Sequence, residues 1–193
     1  SQYLKTIPEP AAISVRRKKE QVGLDPELAQ EIKQAYYATV SFVDAQIGRV
    51  LDKLKKTGLD KKTIVVFTSD HGYHLGEHGH WQKQTLFEHA TRVPLIFSGP
   101  GISSGLGPID EAVELVDLYP TIMELLQMET PDFVRGKSLN PYFKGSKIPI
   151  RNSALTELLV RTPQGMAQGY SIKTKRYRLN RWSHKNLFMY ELY

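Results

Sequence analysis

An acid, an imidazole and a glycine directly follow the most apolar strand-like segment of the chain. Asp70, His71 and Gly72 come after residues 64–67, whose β-branched and aromatic side chains indicate a strand buried on both faces, as in a parallel sheet. In open α/β sheets, ligands bind beyond the carboxyl ends of the strands. A carboxylate beside a neutral imidazole can hold a divalent cation, and glycine lets the chain turn sharply behind the pair. We therefore predict that Asp70 and His71 bind a metal ion.

The loop after this pair carries further groups that can contact an anion. His74 and His80 are candidate substrate contacts. Lys83 is a candidate catalytic and substrate-binding residue, because a compact ammonium group can offset negative charge that develops on an ester. We expect Glu77 and His78 to brace the loop.

A second interpretation of the same loop is a zinc protease. Residues 74–78 match the pattern H-x-x-E-H, which binds zinc when both histidines project from one face of a continuous helix. Gly72, Gly76 and Gly79 argue against that helix, since each glycine costs about 1 kcal/mol in a helix interior. The zinc protease is therefore the weaker alternative.

The composition is that of an ordinary globular protein, with 193 residues, 40% hydrophobic and 24% charged. The absence of cysteine excludes disulfides, thiolate metal sites and a thiol nucleophile within these residues. No apolar run reaches the length of about 18 residues that a membrane span needs, and the first residues do not resemble a signal peptide. The net charge of +6 is compatible with anionic partners, but from charge alone a solvated basic surface is the favoured interpretation. The basic residues lack the aromatic interleaving of nucleic-acid binders, so we predict no nucleic-acid partner.

The sequence predicts one long helix before the metal strand. Asp25 is a suitable N-cap, Pro26 suits the first helical position, and Gly58 is a suitable stop. Apolar residues recur at helical spacing from Leu28 to Leu54, which predicts that one face of this helix is buried.

Later segments alternate between short strands and turns. Residues 93–97 predict a second buried strand, residues 113–116 a further short strand, and residues 117–126 a helix that Asp117 opens. Beyond residue 148 the pattern becomes antiparallel β, with predicted strands at residues 154–160, 170–182 and 187–193. We expect a domain of residues 1–147 and a small β subdomain of residues 148–193.

Several blocks of this sequence resemble the type I sulfatases of the alkaline-phosphatase-like superfamily, and among them the iduronate-2-sulfatase branch most. The blocks are residues 68–72, 76–79, 81–83 and 92–96, with further similarity at residues 36–44 and 114–121. The resemblance implies an α/β alkaline-phosphatase-like sandwich with a small antiparallel C-terminal subdomain. It also implies a sulfuric ester hydrolase that acts on sulfated sugars.

The resemblance assigns Asp70 and His71 to a Ca²⁺ site, with Mg²⁺ as the alternative ion, and Lys83 to sulfate contact. The family also needs a formylglycine nucleophile, made within a C/S-x-P-S-R motif, and an early Asp-Asp pair. Neither occurs in these residues. We therefore expect a C-terminal portion that is inactive alone and needs the N-terminal part of the same enzyme. Export, whether periplasmic, secreted or lysosomal, is implied by the resemblance only.

Two other functions remain open at this point. One is a phosphodiester or phosphonate hydrolase of the same superfamily, which would share the metal ligands. The other is a non-catalytic module that retained the fold and need bind no metal.

Overall fold

The computed structural model describes residues 2–193, without the side chains of Gln2 and Lys19. The α-helices are α1 (Glu9–Val15), α2 (Pro26–Lys56), α3 (Glu88–Thr91), α4 (Leu118–Leu125) and α5 (Asn140–Phe143). The strands are β1 (Val65–Thr68), β2 (His74–Leu75), β3 (Trp81–Gln82), β4 (Leu95–Ser98), β5 (Ala154–Thr162), β6 (Gly165–Lys173), β7 (Arg178–His184) and β8 (Leu187–Leu192). Short 3₁₀ helices are Gln2–Lys5, Lys19–Gln21, Leu59–Lys62, Glu77–Gly79 and Leu115–Asp117.

The predicted long helix is confirmed as α2. The Asp25 carboxylate accepts hydrogen bonds from the backbone N–H groups of Glu27 and Leu28, at 2.9 and 3.4 Å, and so caps the first turn. The predicted burial of one face is wrong for this chain, because no residue of α2 is buried. Phe42 and Val50 keep exposed fractions of 66% and 68%. The described residues do not supply a surface that covers this apolar face.

The strand that precedes Asp70 pairs differently from the prediction. β1 is antiparallel to β4, with Val65 opposite Ser98 and Thr68 opposite Leu95. The chain folds back through the loop after β1 and returns alongside it, which sets the antiparallel direction. The prediction of a parallel strand buried on both faces is therefore wrong, and Phe67 remains 41% exposed.

The C-terminal antiparallel sheet is confirmed, with one strand more than the pattern predicted. β5, β6, β7 and β8 pair in chain order. The predicted segment 170–182 is two strands, because Thr174 and Tyr177 close a turn in its middle, where the Thr174 N–H donates to the Tyr177 carbonyl at 2.8 Å. Lys185 and Asn186, both left-handed (φ 47° and 64°), form the last hairpin turn, as two-residue loops between antiparallel strands require.

One face of the sheet is buried on a small core. Trp182 of β7 is 1% exposed and packs in a cluster with Ala11, Leu86 and Val160. Gly169 lies flat against this indole, since a Cβ at that position would come within 2.6 Å of the ring. The alternation of the strands places the remaining side chains on an outer face.

Residues 113–116 do not form the predicted strand. The chain enters the 3₁₀ helix Leu115–Asp117 instead, because Asp117 accepts a hydrogen bond from the Glu114 N–H at 2.9 Å and curls the backbone. The helix predicted to start at Asp117 is confirmed, as α4 begins at the next residue.

The chain divides into two compact units. One contains residues 14–84 and 88–100, and the other contains residues 2–13, 85–87 and 101–193. The four-stranded sheet begins at Ala154, shortly after the boundary predicted at residue 148, whereas its compact unit begins earlier. The predicted domain boundary therefore stays a prediction. None of the helices within residues 2–193 combines the length and apolar character of a membrane span.

Candidate functional site

The candidate metal pair lies on the surface just beyond the end of β1. The side chain of Asp70 is 86% exposed and that of His71 is 34% exposed. One Asp70 carboxylate oxygen lies 3.6 Å from His71 Nε2. The Ser69 hydroxyl donates to the His71 carbonyl at 2.8 Å and fixes the turn that carries the pair. Both side chains are thus held next to each other at a strand end, open to a ligand.

The tautomer of His71 follows from its neighbours. Its Nδ1 lies 2.8 Å from the Gly72 carbonyl oxygen, which only accepts hydrogen bonds, so Nδ1 carries the proton. Nε2 therefore presents a lone pair, the form in which imidazole binds a cation. Lys83 Nζ lies 2.6 Å from this Nε2 and donates to it. The structure thus brings Lys83 next to the predicted pair of Asp70 and His71.

Asp70 and His71 fit part of a divalent cation site. The Asp70 carboxylate is a hard oxygen donor of the kind that Ca²⁺ and Mg²⁺ prefer, and the oriented lone pair of His71 is a second donor. Across residues 2–193, no group of three or more His, Asp or Glu side chains is arranged to hold a metal. Two donors alone do not fill the coordination shell of either ion, which takes about six or more ligands.

The backbone on both sides of Lys83 is unusual. Gln82 and Gln84 have φ values of 85° and 68°, in the left-handed region that side chains other than glycine rarely adopt. Such outliers persist where surrounding contacts hold them, and they concentrate at functional sites. Nothing in the sequence predicts this feature, because glutamine carries no signal for left-handed backbone.

His74 and His80, the predicted substrate contacts, are in the interior. His74 is 0% exposed and His80 is 3% exposed, whereas Asp70 and Lys83 are on the surface. Burial favours a supporting role, and contact with substrate stays a prediction for both residues. The ring of His74 lies 4.8 Å from that of His80 and 5.2 Å from that of His89, between centroids. Sequence analysis missed His89, which no local motif connects to this loop.

Burial and the neighbouring imidazoles both lower the pKa of His74. Desolvation first, and then repulsion from His80 and His89, lower the pKa of His74 to about 4. His74 is therefore neutral near pH 7. It forms the uncharged centre of a histidine cluster that consists of His74, His78, His80 and His89.

Glu77 braces the loop, as predicted. Its carboxylate accepts the backbone N–H of Leu75 at 2.6 Å. Burial raises the pKa of Glu77, but this hydrogen bond, a second from its own backbone N–H and the charges of His89 and His74 outweigh burial and lower the pKa overall. Together with His78, whose φ is 57°, Glu77 forms a short 3₁₀ turn in place of a helix. The continuous helix of an H-x-x-E-H zinc site is absent from this segment.

Gly72 is essential to the packing behind the metal pair. A Cβ at this position would lie 2.0 Å from the His89 carbonyl oxygen and 3.0 Å from that of Arg92, and the Gly72 N–H donates to Ala90 at 2.8 Å. We expect Gly72→Ala to lower the free energy of unfolding by about 3 kcal/mol, at the upper end of the usual cost of overpacking. Urea unfolding measures this change.

The matched control is Gly48→Ala, where a Cβ meets nothing within 4 Å inside α2. That variant should gain about 0.5–1 kcal/mol, because alanine is the better helix former. Equal stability changes in the two variants would contradict the tight approach at Gly72.

Family models match the chain along nearly all of its length. The model described as Sulfatase matches residues 6–128, and the model described as N-sulphoglucosamine sulphohydrolase, C-terminal, matches residues 76–193. Among curated proteins, a sulfatase of Formosa agariphila is 48% identical over 110 residues, which are 57% of this chain and 22% of that protein. Human iduronate 2-sulfatase is 40% identical over 129 residues, covering 54% of this chain and 24% of that protein.

Solved structures show the same similarity. A 2-O GAG sulfatase superposes with a TM-score of 0.86 at 27% identity, covering 98% of this chain and 42% of that one. A protein solved with its substrate, D-glucosamine-2-N,6-O-disulfate, gives a TM-score of 0.73 at 28% identity, covering 100% and 42%. A phosphonate monoester hydrolase from Silicibacter pomeroyi gives 0.76 at 30% identity, covering 89% and 36%.

The family matches and the structural superpositions identify the fold and the family of this chain. The fold is the α/β alkaline-phosphatase-like fold of the neighbouring sulfatases, with a four-stranded antiparallel sheet at its C-terminal end. The chain belongs to the sulfatase family, as the resemblance of its motifs predicted. It spans about a quarter of the length of the curated relatives that it matches.

Proposed function

We propose that this chain supplies the C-terminal part of a sulfuric ester hydrolase that acts on sulfated sugars. The observation that carries the proposal is the convergence of Lys83, His71 and Asp70 on one exposed strand end, with Lys83 Nζ 2.6 Å from His71 Nε2. Its relatives include iduronate 2-sulfatase, and one structural neighbour was solved with a sulfated glucosamine.

Each residue has a distinct part in the proposed site. Asp70 would hold a divalent cation, Ca²⁺ or alternatively Mg²⁺, together with ligands from an N-terminal part of the same enzyme. The Nε2 lone pair of His71, which accepts from Lys83 in this structure, would become a second ligand when the Lys83 ammonium group leaves it for the ester. When bound, the cation attracts the sulfate oxygens and neutralises part of their charge. Lys83 directs its ammonium group to the same place, where it orients the ester and offsets the charge that develops on the leaving oxygen.

The remaining components have to come from outside residues 1–193. A formylglycine nucleophile needs a C/S-x-P-S-R motif, which this sequence does not contain. We therefore propose that the chain alone is inactive and that the N-terminal part of the same enzyme completes the site. Export of the whole enzyme is proposed from the family resemblance alone.

A phosphonate or phosphodiester hydrolase is the second candidate function. It is favoured by one observation, the 30% identity to a phosphonate monoester hydrolase with a TM-score of 0.76. Both reactions cleave an anionic ester on the same kind of metal scaffold. The two candidate functions are therefore distinguished by the relative turnover of a sulfate and a phosphonate substrate.

The experiment compares an aryl sulfate with an aryl phosphonate monoester, in the presence of Ca²⁺, for the chain alone and for the enzyme completed with its N-terminal part. We expect no turnover by the chain alone, and faster turnover of the sulfate than of the phosphonate by the completed enzyme. Asp70→Ala should abolish the Ca²⁺ dependence. Asp110→Ala is the matched control, because the Asp110 carboxylate is equally exposed, at 87%, and pairs with Lys175 instead. Preferred phosphonate turnover would overturn the sulfatase assignment.

A further inference from the structure

The buried ring of His80 connects two backbone carbonyl groups. Its Nδ1 lies 2.8 Å from the Val15 carbonyl oxygen and its Nε2 lies 2.8 Å from the Lys83 carbonyl oxygen. Val15 and His80 are 65 residues apart in sequence and are both almost fully buried. The ring therefore links the end of α1 to the backbone of the lysine that faces the metal pair.

Both of these contacts need a proton on the ring nitrogen. A carbonyl oxygen only accepts hydrogen bonds, and a neutral imidazole has one N–H and one bare nitrogen. The two bonds therefore coexist only when His80 is the doubly protonated imidazolium. In the neutral ring, one of the two carbonyl oxygens loses its donor in a buried place, which is unfavourable.

The backbone that His80 contacts is the strained part of the loop. Lys83 lies between the left-handed residues Gln82 and Gln84, and neither is a glycine. Contacts have to hold this conformation, since the free backbone disfavours it. The bond from His80 Nε2 reaches the carbonyl of the residue between them. It is thus placed to fix the direction in which the Lys83 side chain leaves the loop.

We infer that His80 is a positioning residue for Lys83. Its ring bonds both carbonyl oxygens, clamps the Lys83 backbone to Val15 and so directs the ammonium group to His71 Nε2. The inference rests on the proposed function for the catalytic role of Lys83, but its structural content is independent of turnover.

The groups that face the His80 ring are neighbouring imidazoles and two backbone carbonyls. His74, on β2, faces the ring at 4.8 Å between centroids, and His89 of α3 and His78 lie behind His74. The lowered pKa of His74, about 4, keeps that neighbour neutral over the range in which histidines usually titrate, from about pH 5 to about pH 8. Val15 and Lys83 face the ring through their carbonyl oxygens.

Nuclear magnetic resonance of the ¹⁵N-labelled chain tests the inference directly. We expect both ring nitrogens of His80 to show a directly bonded proton that exchanges slowly with water, because each nitrogen lies 2.8 Å from a buried carbonyl oxygen. A bare nitrogen on the His80 ring of the folded chain would overturn the inference.

A variant with chemical rescue separates positioning from a general effect on folding. His80→Ala should split the Lys83 resonances over several conformations and remove the contact between the Lys83 ammonium group and His71. Added imidazole should enter the vacated space and restore both the single set of Lys83 resonances and this contact. His184→Ala is the control, because His184 bonds Thr162 in the C-terminal sheet at 3.1 Å. No recovery with imidazole in a folded variant would count against the bridge. If the variant does not fold, the ring measurement on the unmodified chain decides alone.

Kinetics of the completed enzyme distinguish this inference from the proposed function. His80→Ala should lower kcat about 10–100-fold with little change in KM, the usual range for residues that orient a catalytic group, and imidazole should restore part of kcat. An unchanged kcat in an enzyme that hydrolyses sulfate esters overturns the positioning role and leaves the function standing. Absence of sulfate ester turnover in the unmodified enzyme overturns the function and leaves the ring measurement valid.

Discussion

Replacement of Lys83 by alanine should lower kcat for a sulfate ester about 10²–10³-fold in the completed enzyme, the usual effect of removing one donor that stabilises developing charge. The expected loss follows from the position of the Lys83 ammonium group. Its Nζ lies 2.6 Å from His71 Nε2, beside Asp70, where the proposed cation and ester meet. The free energy of unfolding should change little, because the Lys83 side chain is exposed.

Steady-state kinetics and urea unfolding of the same preparation measure the two effects. Lys144→Ala is the matched control, since Lys144 is also exposed and its ammonium group pairs with Glu124 at 4.0 Å. Lys83→Arg should recover only part of the loss, because a planar guanidinium does not reproduce a compact ammonium group. A Lys83→Ala enzyme with the kcat of the Lys144→Ala control would remove Lys83 from the site.

Replacement of Arg151 by alanine should lower the free energy of unfolding by about 3–5 kcal/mol, the cost of leaving a buried charge without its partner. The Arg151 guanidinium bonds Glu114 at 2.6 Å and also bonds Asp117, which is fully buried. After the substitution, the Asp117 carboxylate still accepts hydrogen bonds from the backbone N–H groups of Glu114 and Lys137, at 2.9 and 2.8 Å. These dipoles do not replace a full positive charge.

Urea unfolding with constant m-values is the measurement. Arg135→Ala is the control, because Arg135 lies on the surface near the same segment and should change stability by less than about 0.5 kcal/mol. The combined replacement of Arg151 by methionine and Asp117 by asparagine should be less costly than Arg151→Ala alone, since it removes the isolated charge. Equal losses in Arg151→Ala and Arg135→Ala would show that the pair contributes nothing to stability.

The local elements and the family could be predicted from the amino-acid sequence. The cap at Asp25, the proline after it and the helical spacing of apolar residues define α2, because helix hydrogen bonds join residues four apart. Alternation and turn residues define the antiparallel sheet in the same local way. The Asp70–His71 pair with Lys83 gave the resemblance to sulfatases that the family models confirm.

The way in which these parts meet could not be predicted from the sequence and is seen only in the folded chain. The direction of β1, the exposed apolar face of α2 and the contact of Lys83 with His71 depend on where distant segments pack. The clamp of His80 on Val15 spans 65 residues, and the Arg151–Asp117 pair spans 34. The physical reason is that a residue's type fixes which bonds it can form, whereas its partner across such distances is chosen by the packing of the whole chain. Residue types and local spacing therefore give the candidate ligands of the proposed site, and the fold gives their geometry.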